Sequence, residues 1–321
     1  MTDQDFAGAI KLIARANSVV ISGHINPDGD SIGSLLGLGL GLEALGKRVI
    51  MLSPDGVPKK YRGLPGASRI TSSVSSIKKA DLAIAVDCSN KEILGRGFEA
   101  FLRCGSILEI AHHDFRRPFG FVHLLDTKAA AVGEMIFRLL CRLGVKMNKN
   151  IAYNLLTSIL VETNSFRLPN VKPATFLICS ELVRCGIDFY DLTDTIFWSR
   201  SRESVILSGI CMARCKFLSG GKITWSIIRK EDFEAIGGKD EDVDPVADEM
   251  RSIKGVKIAV LFRGTNNENL RVSLRSKNKI NVAAIAESYF GGGHYDVAGC
   301  SIPNTRSAIL GLLNKARNLL H

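Results

Sequence analysis

Several features that mark other protein classes are scarce or missing in this chain of 321 residues. Its longest apolar run, residues 35–42, is broken by three glycines and falls far short of the roughly 20 residues that span a membrane. Only nine prolines and no low-complexity tract are present, which argues against disorder. No two of the eight cysteines are spaced as Cys-x-x-Cys, and no signal peptide is recognisable. We therefore expect a cytoplasmic protein without membrane contact, with reduced and mostly buried thiols.

Charge is abundant but unevenly placed, with a net charge of +10. An acidic segment, residues 231–249, holds nine Asp or Glu against one Lys. The basic segment that follows, residues 251–280, holds eight Lys or Arg against one Glu. Such a bias indicates either a solvated face or a pocket for phosphate groups.

The first half of the chain alternates strand-like and helix-like stretches, a pattern typical of a largely parallel sheet covered by helices. The predicted strands are 17–23, 48–52, 82–87 and 106–111, and the predicted helices are 3–16, 31–46, 129–144, 150–160 and 173–186. Asp30 and Ser31 lie where the second helix should begin, which suits an N-cap. Glycines 33, 37 and 41 lie four apart, which indicates that this helix packs closely on the sheet.

The pattern changes after Gly186. The later segments are a helical stretch at 188–216, strands at 222–229, 256–262 and 269–275, and helices at 281–290 and 305–320. The sequence therefore predicts two domains, residues 1–186 and 206–321, joined by a helical linker at residues 187–205.

Metal-type side chains follow three of the predicted strands. They are His24, Asp28 and Asp30 after the first strand, Asp87 after the third, and His112 and His113 after the fourth. Ligands of open α/β sheets bind at the carboxyl ends of the strands. Carboxylates gathered there repel each other, and a cation is the usual remedy.

The ligand types indicate which ions are expected. Imidazole and carboxylate groups without thiolate suit Mn²⁺, with Mg²⁺, Co²⁺ and Zn²⁺ as alternatives. Glu162 is a further candidate ligand. The ligand set is then His24, Asp28, Asp30, Asp87, His112 and Glu162. Six groups are too many for one open catalytic ion but suit two ions, which together can activate water and stabilise an in-line displacement at phosphorus.

Four motifs together resemble the DHH phosphoesterase family in its two-domain form with a DHH-associated C-terminal domain. They are His-x-Asn-Pro-Asp-x-Asp at 24–30, Val-Asp-Cys-Ser at 86–89, His-His at 112–113 and Gly-Gly-Gly-His at 291–294. The resemblance covers nearly the whole chain, and the nearest subgroup is the bacterial and archaeal nanoRNase/pAp phosphatases. It implies an α/β fold: a parallel-sheet DHH domain with helices on both faces, a smaller α/β domain, and an active-site cleft between them.

The resemblance also implies roles for the candidate ligands. His24, Asp28 and Asp87 match ligands of one Mn²⁺. Asp30, Asp87 and His112 match ligands of a second Mn²⁺, so that Asp87 bridges the two ions.

Further residues match the family's substrate contacts. His113, the second His of the signature, matches a residue that meets the substrate phosphate. Arg275 and His294 match residues of the second domain that hold substrate, which favours the phosphate-pocket interpretation of the basic segment. The glycines of the last motif, Gly291, Gly292 and Gly293, let backbone N–H groups approach an anion.

Two positions depart from the family pattern. The signature Asp-His-His reads Ala111-His112-His113, and Glu162 stands where the fourth motif offers Asp. Glutamate ligates the same metals, so that change is tolerable. Loss of the carboxylate at position 111 predicts reduced activity, since such partners of metal ligands are typically worth about 10–100-fold. The sequence leaves open whether Ala111 is natural or engineered. Because the other site residues are intact, an engineered substitution is favoured.

Residues and resemblance together predict a Mn²⁺-dependent phosphodiesterase that hydrolyses short RNA or DNA oligonucleotides, such as pNpN dinucleotides, to mononucleotides. 3′-Phosphoadenosine 5′-phosphate and cyclic dinucleotides are further candidate substrates, and the oligomeric state, including a homodimer, is left open.

Three alternatives remain. A nucleotide-binding protein with impaired catalysis would explain positions 111 and 162. A RecJ-like single-strand exonuclease would carry extra nucleic-acid-binding domains, for which 321 residues leave no room. A family II pyrophosphatase would lack the Gly-Gly-Gly-His ending.

Overall fold

The computed structural model describes residues 3–88, 90–113, 117–264, 268–277, 280–293 and 295–320. The chain divides into two compact units, residues 1–199 and 200–321. No helix in these described stretches is both long and apolar enough to cross a membrane.

Unit 1 is built on a five-stranded, entirely parallel sheet in the order β2-β1-β3-β4-β5. The strands are β1 (Ser18–Ser22), β2 (Arg48–Leu52), β3 (Leu82–Val86), β4 (Ile107–Ala111) and β5 (Val122–Leu125). The helices are α1 (Asp3–Arg15), α2 (Gly29–Ala44), α3 (Gly97–Phe101), α4 (Val132–Arg142), α5 (Lys149–Glu162), α6 (Pro173–Val183) and α7 (Phe189–Thr193), with a π-helical turn at Asp194–Trp198. The parallel sheet predicted from the sequence is confirmed. Edge strand β5 was not predicted, because only one of its four residues is buried.

Helices cover both faces of this sheet, as predicted, because successive strand residues point to opposite sides. On β1, Val19 and Ile21 join the large core formed with α1, α2, α4 and α5. Val20 between them points the other way and packs with Phe101 of α3. All five residues of β3 and of β4 are buried, as expected for central strands of a parallel sheet.

Unit 2 contains a six-stranded mixed sheet in the order β10-β11-β9-β8-β7-β6, in which only β7 and β8 pair in parallel. The strands are β6 (Lys216–Leu218), β7 (Ile223–Ile228), β8 (Ile258–Arg263), β9 (Asn269–Ser276), β10 (Gly292–Gly293) and β11 (Val297–Pro303). The helices are α8 (Arg202–Ala213), α9 (Lys230–Ile236), α10 (Val246–Ser252), α11 (Ala283–Glu287) and α12 (Arg306–Asn318). One face packs on α11 and α12 and the other on α8, α9 and α10.

The acidic and basic segments turn out to be partners within unit 2. The acidic segment forms α9, α10 and the turn between them, and the basic segment supplies β8 and β9. Arg263 Nη1 lies 2.9 Å from Asp244 Oδ1, and Arg275 Nε lies 3.1 Å from Asp248 Oδ2. Much of the charge bias therefore pairs a helical layer with its sheet rather than marking a free cationic surface.

The glycine stripe of α2 faces other helices, which corrects the expectation that it contacts the sheet. A Cβ on Gly33 would stand 2.5 Å from the backbone oxygen of Asn154 in α5, and one on Gly37 would stand 2.4 Å from Leu155 Cδ2. Gly41 meets Leu140 of α4 in the same way. The stripe lets α2 lie directly against α4 and α5, so that all but a few of its residues are buried.

Gly33→Ala should therefore separate α2 from α5, because the contact to be relieved is backbone rather than a flexible side chain. We expect a loss of about 1–3 kcal/mol in the free energy of unfolding, measured by urea denaturation. Gly209→Ala in α8 is the matched control, since a Cβ there meets nothing within 4 Å. That variant should gain up to about 1 kcal/mol from helix propensity. Equal and small effects for both would show that the α2–α5 approach is not tight.

Candidate metal centre

The turn between β1 and α2 presents the first candidate ligands. Asp28 is the N-cap of α2, and its carboxylate accepts a hydrogen bond of 2.9 Å from the backbone N–H of Ser31. The helix therefore begins two residues earlier than predicted, with Asp28 rather than Asp30 or Ser31 as its cap. His24 Nε2 lies 3.8 Å from Asp28 Oδ1, across the turn.

Asp87 lies at the centre of the cluster, one residue beyond β3. It is almost fully buried and has a φ of 58°. A left-handed conformation is uncommon outside glycine, although Asp tolerates it better than most residues, and such outliers concentrate at functional sites. Its Oδ2 lies 3.5 Å from His24 Nε2, and its Oδ1 lies 2.8 Å from His113 Nε2 and 3.8 Å from His112 Nε2.

Asp30 lies in the first turn of α2 and is completely buried. Oδ1 accepts hydrogen bonds from the hydroxyls of Ser34 (3.0 Å) and Ser158 (2.5 Å), and Oδ2 accepts one of 3.0 Å from the backbone N–H of Val132. Burial and the neighbouring charge of Asp87 raise the pKa of Asp30 to about 7. These donors fix the carboxylate but do not supply the full positive charge that its ionised form requires.

His112 presents a ring nitrogen to the carboxylates. Its Nδ1 lies 3.2 Å from the backbone oxygen of Ala129, and a carbonyl can only accept, so Nδ1 is the donor. In the neutral ring the lone pair is then on Nε2, the arrangement typical of ligating histidines. Nε2 lies 3.7 Å from both Asp30 Oδ2 and Glu162 Oε1. It is buried and has no hydrogen-bond partner among the residues that the structure describes.

The carboxylates of the cluster raise the pKa values of its other two histidines, His24 and His113. Burial alone would lower the pKa of His24, but its hydrogen bonds to Asp28 and Asp87 raise it to about 11. The pKa of His113 is raised in the same way, by Asp87 against the effect of burial. Burial would raise the pKa of Asp87 itself, yet hydrogen bonds from His113 and His24 hold it below its usual range. Without metal, the two imidazolium groups would supply the missing positive charge.

Glu162, the last residue of α5, reaches the cluster from the opposite side. Its Oε1 lies 3.7 Å from His112 Nε2, and about a third of the side chain is exposed. Asn164, Ser165 and Phe166 then follow with φ values of 46°, 56° and 63°. Three consecutive left-handed residues are unusual, and they turn the chain sharply away immediately after Glu162.

Ala111 ends β4 and is fully buried, with its carbonyl accepting a 3.2 Å hydrogen bond from the backbone N–H of Asp126. Alternation along the strand places its side chain on the same sheet face as Glu109. The predicted strand 106–111 and the observed strand both end at this position, and the structure shows that this strand end is buried.

Two groups of positioning residues could not be identified as such from the sequence. Ser34 and Ser158 hold Asp30, and both look like ordinary small helix residues in the sequence. Buried Glu109 accepts hydrogen bonds from the backbone N–H groups of Phe119 (2.6 Å) and Gly120 (2.9 Å) and lies 2.8 Å from His123 Nδ1. It thereby anchors the chain returning to β5 after the His pair. A lone Glu within the apolar run 107–111 was the one available signal.

Arg275 lies on β9 in unit 2 and is mostly buried. Besides its contact with Asp248, its Nη1 donates a 3.1 Å hydrogen bond to the backbone oxygen of Leu274. It stands opposite Val297 in the β9–β11 ladder, and the backbone N–H of Ser276 donates 2.8 Å to the oxygen of Asp296. Arg275 is thus adjacent to the chain that leaves the glycine motif.

The three glycines of that motif differ in the space that a side chain would have. A Cβ on Gly291 would stand 2.2 Å from the backbone oxygen of Gly299, and one on Gly293 would stand 2.4 Å from that of Val297. These two positions need glycine to pair closely with β11. Gly292 is exposed, and a Cβ there would meet nothing within 4 Å. His294 lies outside the described residues.

The centre therefore gathers all six candidate metal ligands and His113 in unit 1. Two overlapping triads place their ligand atoms within 4.8 Å of one another, His24-Asp28-Asp87 and Asp87-His112-His113. Asp87 belongs to both. Asp30 and Glu162 flank His112, and His113, expected as a phosphate contact, lies directly against Asp87.

Two family models match this chain. Residues 18–161 match the family model described as DHH family, N-terminal domain, and residues 232–321 match the DHHA1 domain. The chain is 30% identical over 285 residues to a protein of Thermus thermophilus named bifunctional oligoribonuclease and PAP phosphatase NrnA, covering 88% of this chain and 84% of that protein. The protein of the same name from Bacillus subtilis is 24% identical, with 91% and 92% covered.

A solved structure extends the similarity to the fold. The crystal structure of an exopolyphosphatase-related protein from Bacteroides fragilis superposes with a TM-score of 0.92 at 24% identity, covering 98% of this chain and 96% of that one. At this identity the likeness shows the fold alone. The two matched domains and the Thermus relative show that the chain belongs to the DHH family, in the form that carries a C-terminal DHHA1 domain.

Proposed function

We propose that this protein is a metal-dependent phosphodiesterase that hydrolyses short linear oligonucleotides, dinucleotides above all, to mononucleotides. 3′-Phosphoadenosine 5′-phosphate is a second substrate to test, since two relatives are named both oligoribonuclease and PAP phosphatase. The observation that carries the proposal is the meeting of carboxylates and imidazoles around the buried Nε2 of His112. They come from the turn after β1, the first turn of α2, the residues that follow β3 and β4, and the end of α5. The eight cysteines are free thiols, which fits a reducing cytoplasm.

The residues fit divalent cations in number as well as type. With neutral imidazoles, the carboxylates of Asp28, Asp30, Asp87 and Glu162 bring four negative charges, which two divalent ions would balance. His24, Asp28 and Asp87 would hold one ion, and Asp30, Asp87 and His112 the other, with Glu162 at its side. Bound there, such ions supply Lewis-acid activation of water and of a phosphoryl oxygen. Mn²⁺ is the preferred choice, since the donor set is mixed nitrogen and oxygen without sulfur.

The chain's own residues then divide the remaining work. His113, held by Asp87, presents an imidazole ring that can donate a hydrogen bond to the phosphate that approaches the centre. Ser34, Ser158 and the N–H of Val132 keep Asp30 in one orientation, so little reorganisation is needed on binding. Arg275 offers a planar cation for a second phosphate, and the exposed Gly292 leaves its backbone open to an anion.

Asp87→Asn should lower metal content more than any other single change, because one carboxylate would serve both ions. We expect about two Mn²⁺ per chain in the unaltered protein, as the argument for a paired site requires, and less than one in the variant, measured by mass spectrometry after equilibrium dialysis. Asp126→Asn is the control. Asp126 follows β5 and its backbone N–H donates to the oxygen of Ala111 at the end of β4, but it belongs to neither triad. One ion at saturation in the unaltered protein would overturn the paired site.

Ala111→Asp should raise the rate of dinucleotide hydrolysis by roughly tenfold or more, since it restores a carboxylate next to His112. Because position 111 is fully buried, the same change should lower the stability of the metal-free protein. Ala111→Asn, of similar size but uncharged, should not accelerate hydrolysis. Rates that are equal for Ala, Asn and Asp would favour a nucleotide-binding protein with impaired catalysis.

Arg275→Ala should weaken dinucleotide hydrolysis strongly but spare bis-p-nitrophenyl phosphate, a small ester that needs only the metal centre. Arg271→Ala is the matched control, because Arg271 lies four residues earlier on β9 and is likewise paired with an acidic residue, Asp240. Its kcat/KM on both substrates should stay near that of the unaltered protein. Equal losses on both esters in the Arg275 variant would place Arg275 in the fold rather than in substrate binding.

A further inference from the structure

Phe290 combines two features that are each unfavourable. Its side chain is fully exposed, at 104% of the reference area, and its φ is 57°. A bulky residue in the left-handed region is a conformational outlier that glycine would relieve. Since the exposed ring contributes no packing, the fold itself gives no reason for phenylalanine at this position.

The surrounding backbone fixes this conformation. Phe290 lies between α11 and β10, and its N–H donates a 3.0 Å hydrogen bond to the oxygen of Glu287. The next N–H, of Gly291, donates 2.9 Å to the oxygen of Ala286. The preceding ring, of Tyr289, is by contrast engaged within unit 2, with Lys315 Nζ 4.5 Å from its centroid. The turn thus directs the ring of Phe290 away from the fold, whereas the ring of Tyr289 contacts Lys315.

The residues next to Phe290 favour a small, flat ligand. Phe290 is followed by three glycines, which add no side chain beside its ring. Gly292 and Gly293 lie on edge strand β10, whose outer side pairs with no strand among the described residues, so an anion can approach the backbone there. An aromatic face beside an anion-accepting backbone matches a nucleotide, whose base stacks while its phosphate meets the N–H groups.

We propose that Phe290 is a base-stacking residue that contacts a nucleobase of the oligonucleotide substrate. The inference deepens the proposed function and rests on it. It adds that binding depends on the presence of a base and is tolerant of base identity, because every base offers a π face.

The first test measures binding without turnover, by fluorescence anisotropy in EDTA with labelled pApA and with a labelled 5′-phosphorylated dinucleotide that lacks both bases. Phe290→Gly should weaken binding of pApA about tenfold and leave binding of the abasic probe unchanged. In Mn²⁺ the same variant should raise KM for pApA by a similar factor with little change in kcat. It should also raise the unfolding midpoint by about 2 °C, since strain is relieved and no contact is lost.

Two further variants distinguish stacking by an aromatic ring from contact with any apolar side chain. Phe290→Tyr should bind pApA like the unaltered protein, whereas Phe290→Leu should bind like the glycine variant. Phe217→Leu is the matched control, because Phe217 is half exposed on β6, at the opposite edge of the same sheet. It should change neither binding nor KM.

Each remaining outcome has one meaning. If the unaltered protein binds and cleaves pApA but all Phe290 variants equal it, the stacking inference is wrong and the proposed function stands. Equal losses on pApA and the abasic probe would show that Phe290 acts through the glycine turn, and concentration-dependent dimerisation abolished by Phe290→Gly would assign the ring to a second copy. If the unaltered protein neither binds nor cleaves pApA, both proposals fail together.

Discussion

The mutual repulsion of buried carboxylates is the constraint on which unit 1 depends. Asp30 and Asp87 are both buried, and the charge of Asp87 makes the ionised form of Asp30 less favourable unless a cation is near. Neither can leave, because Asp30 is fixed by Ser34, Ser158 and Val132 and Asp87 by the end of β3. An unpaired buried charge is among the most costly features a fold can contain. A cation at this cluster would therefore meet carboxylates that the fold already holds in place.

The packing of the helices follows from the same requirement. Ser158 belongs to α5 and Asp30 to α2, so their 2.5 Å contact needs the two helices to lie very close. Gly33 and Gly37 allow that approach. The glycine stripe of α2 was expected only to allow close packing. By bringing α5 close, it also helps to position Asp30, a candidate metal ligand.

The sequence predicted the features that depend on local pattern. Apolar runs that lead into Asp or His predicted strands β1, β3 and β4 of unit 1 and the sheet edge at which the ligands were expected to meet. It did not predict β11, because alternation there is carried by Ala298, Cys300 and Ile302 between small or polar residues. It missed the pairing of acidic with basic segments, because charge composition does not reveal which layers pack together. The roles of Ser158 and Glu109 were invisible because they arise from contacts distant in sequence.

The most direct test of the central claim is an electron paramagnetic resonance titration of the metal-free protein with Mn²⁺. Two ions that share Asp87 should give a spin-coupled signal that grows with the second equivalent while the six-line signal of isolated Mn²⁺ declines. A six-line signal that persists unchanged at saturation, with no coupled signal, would contradict the account, since the buried carboxylates would then be satisfied without a paired metal centre.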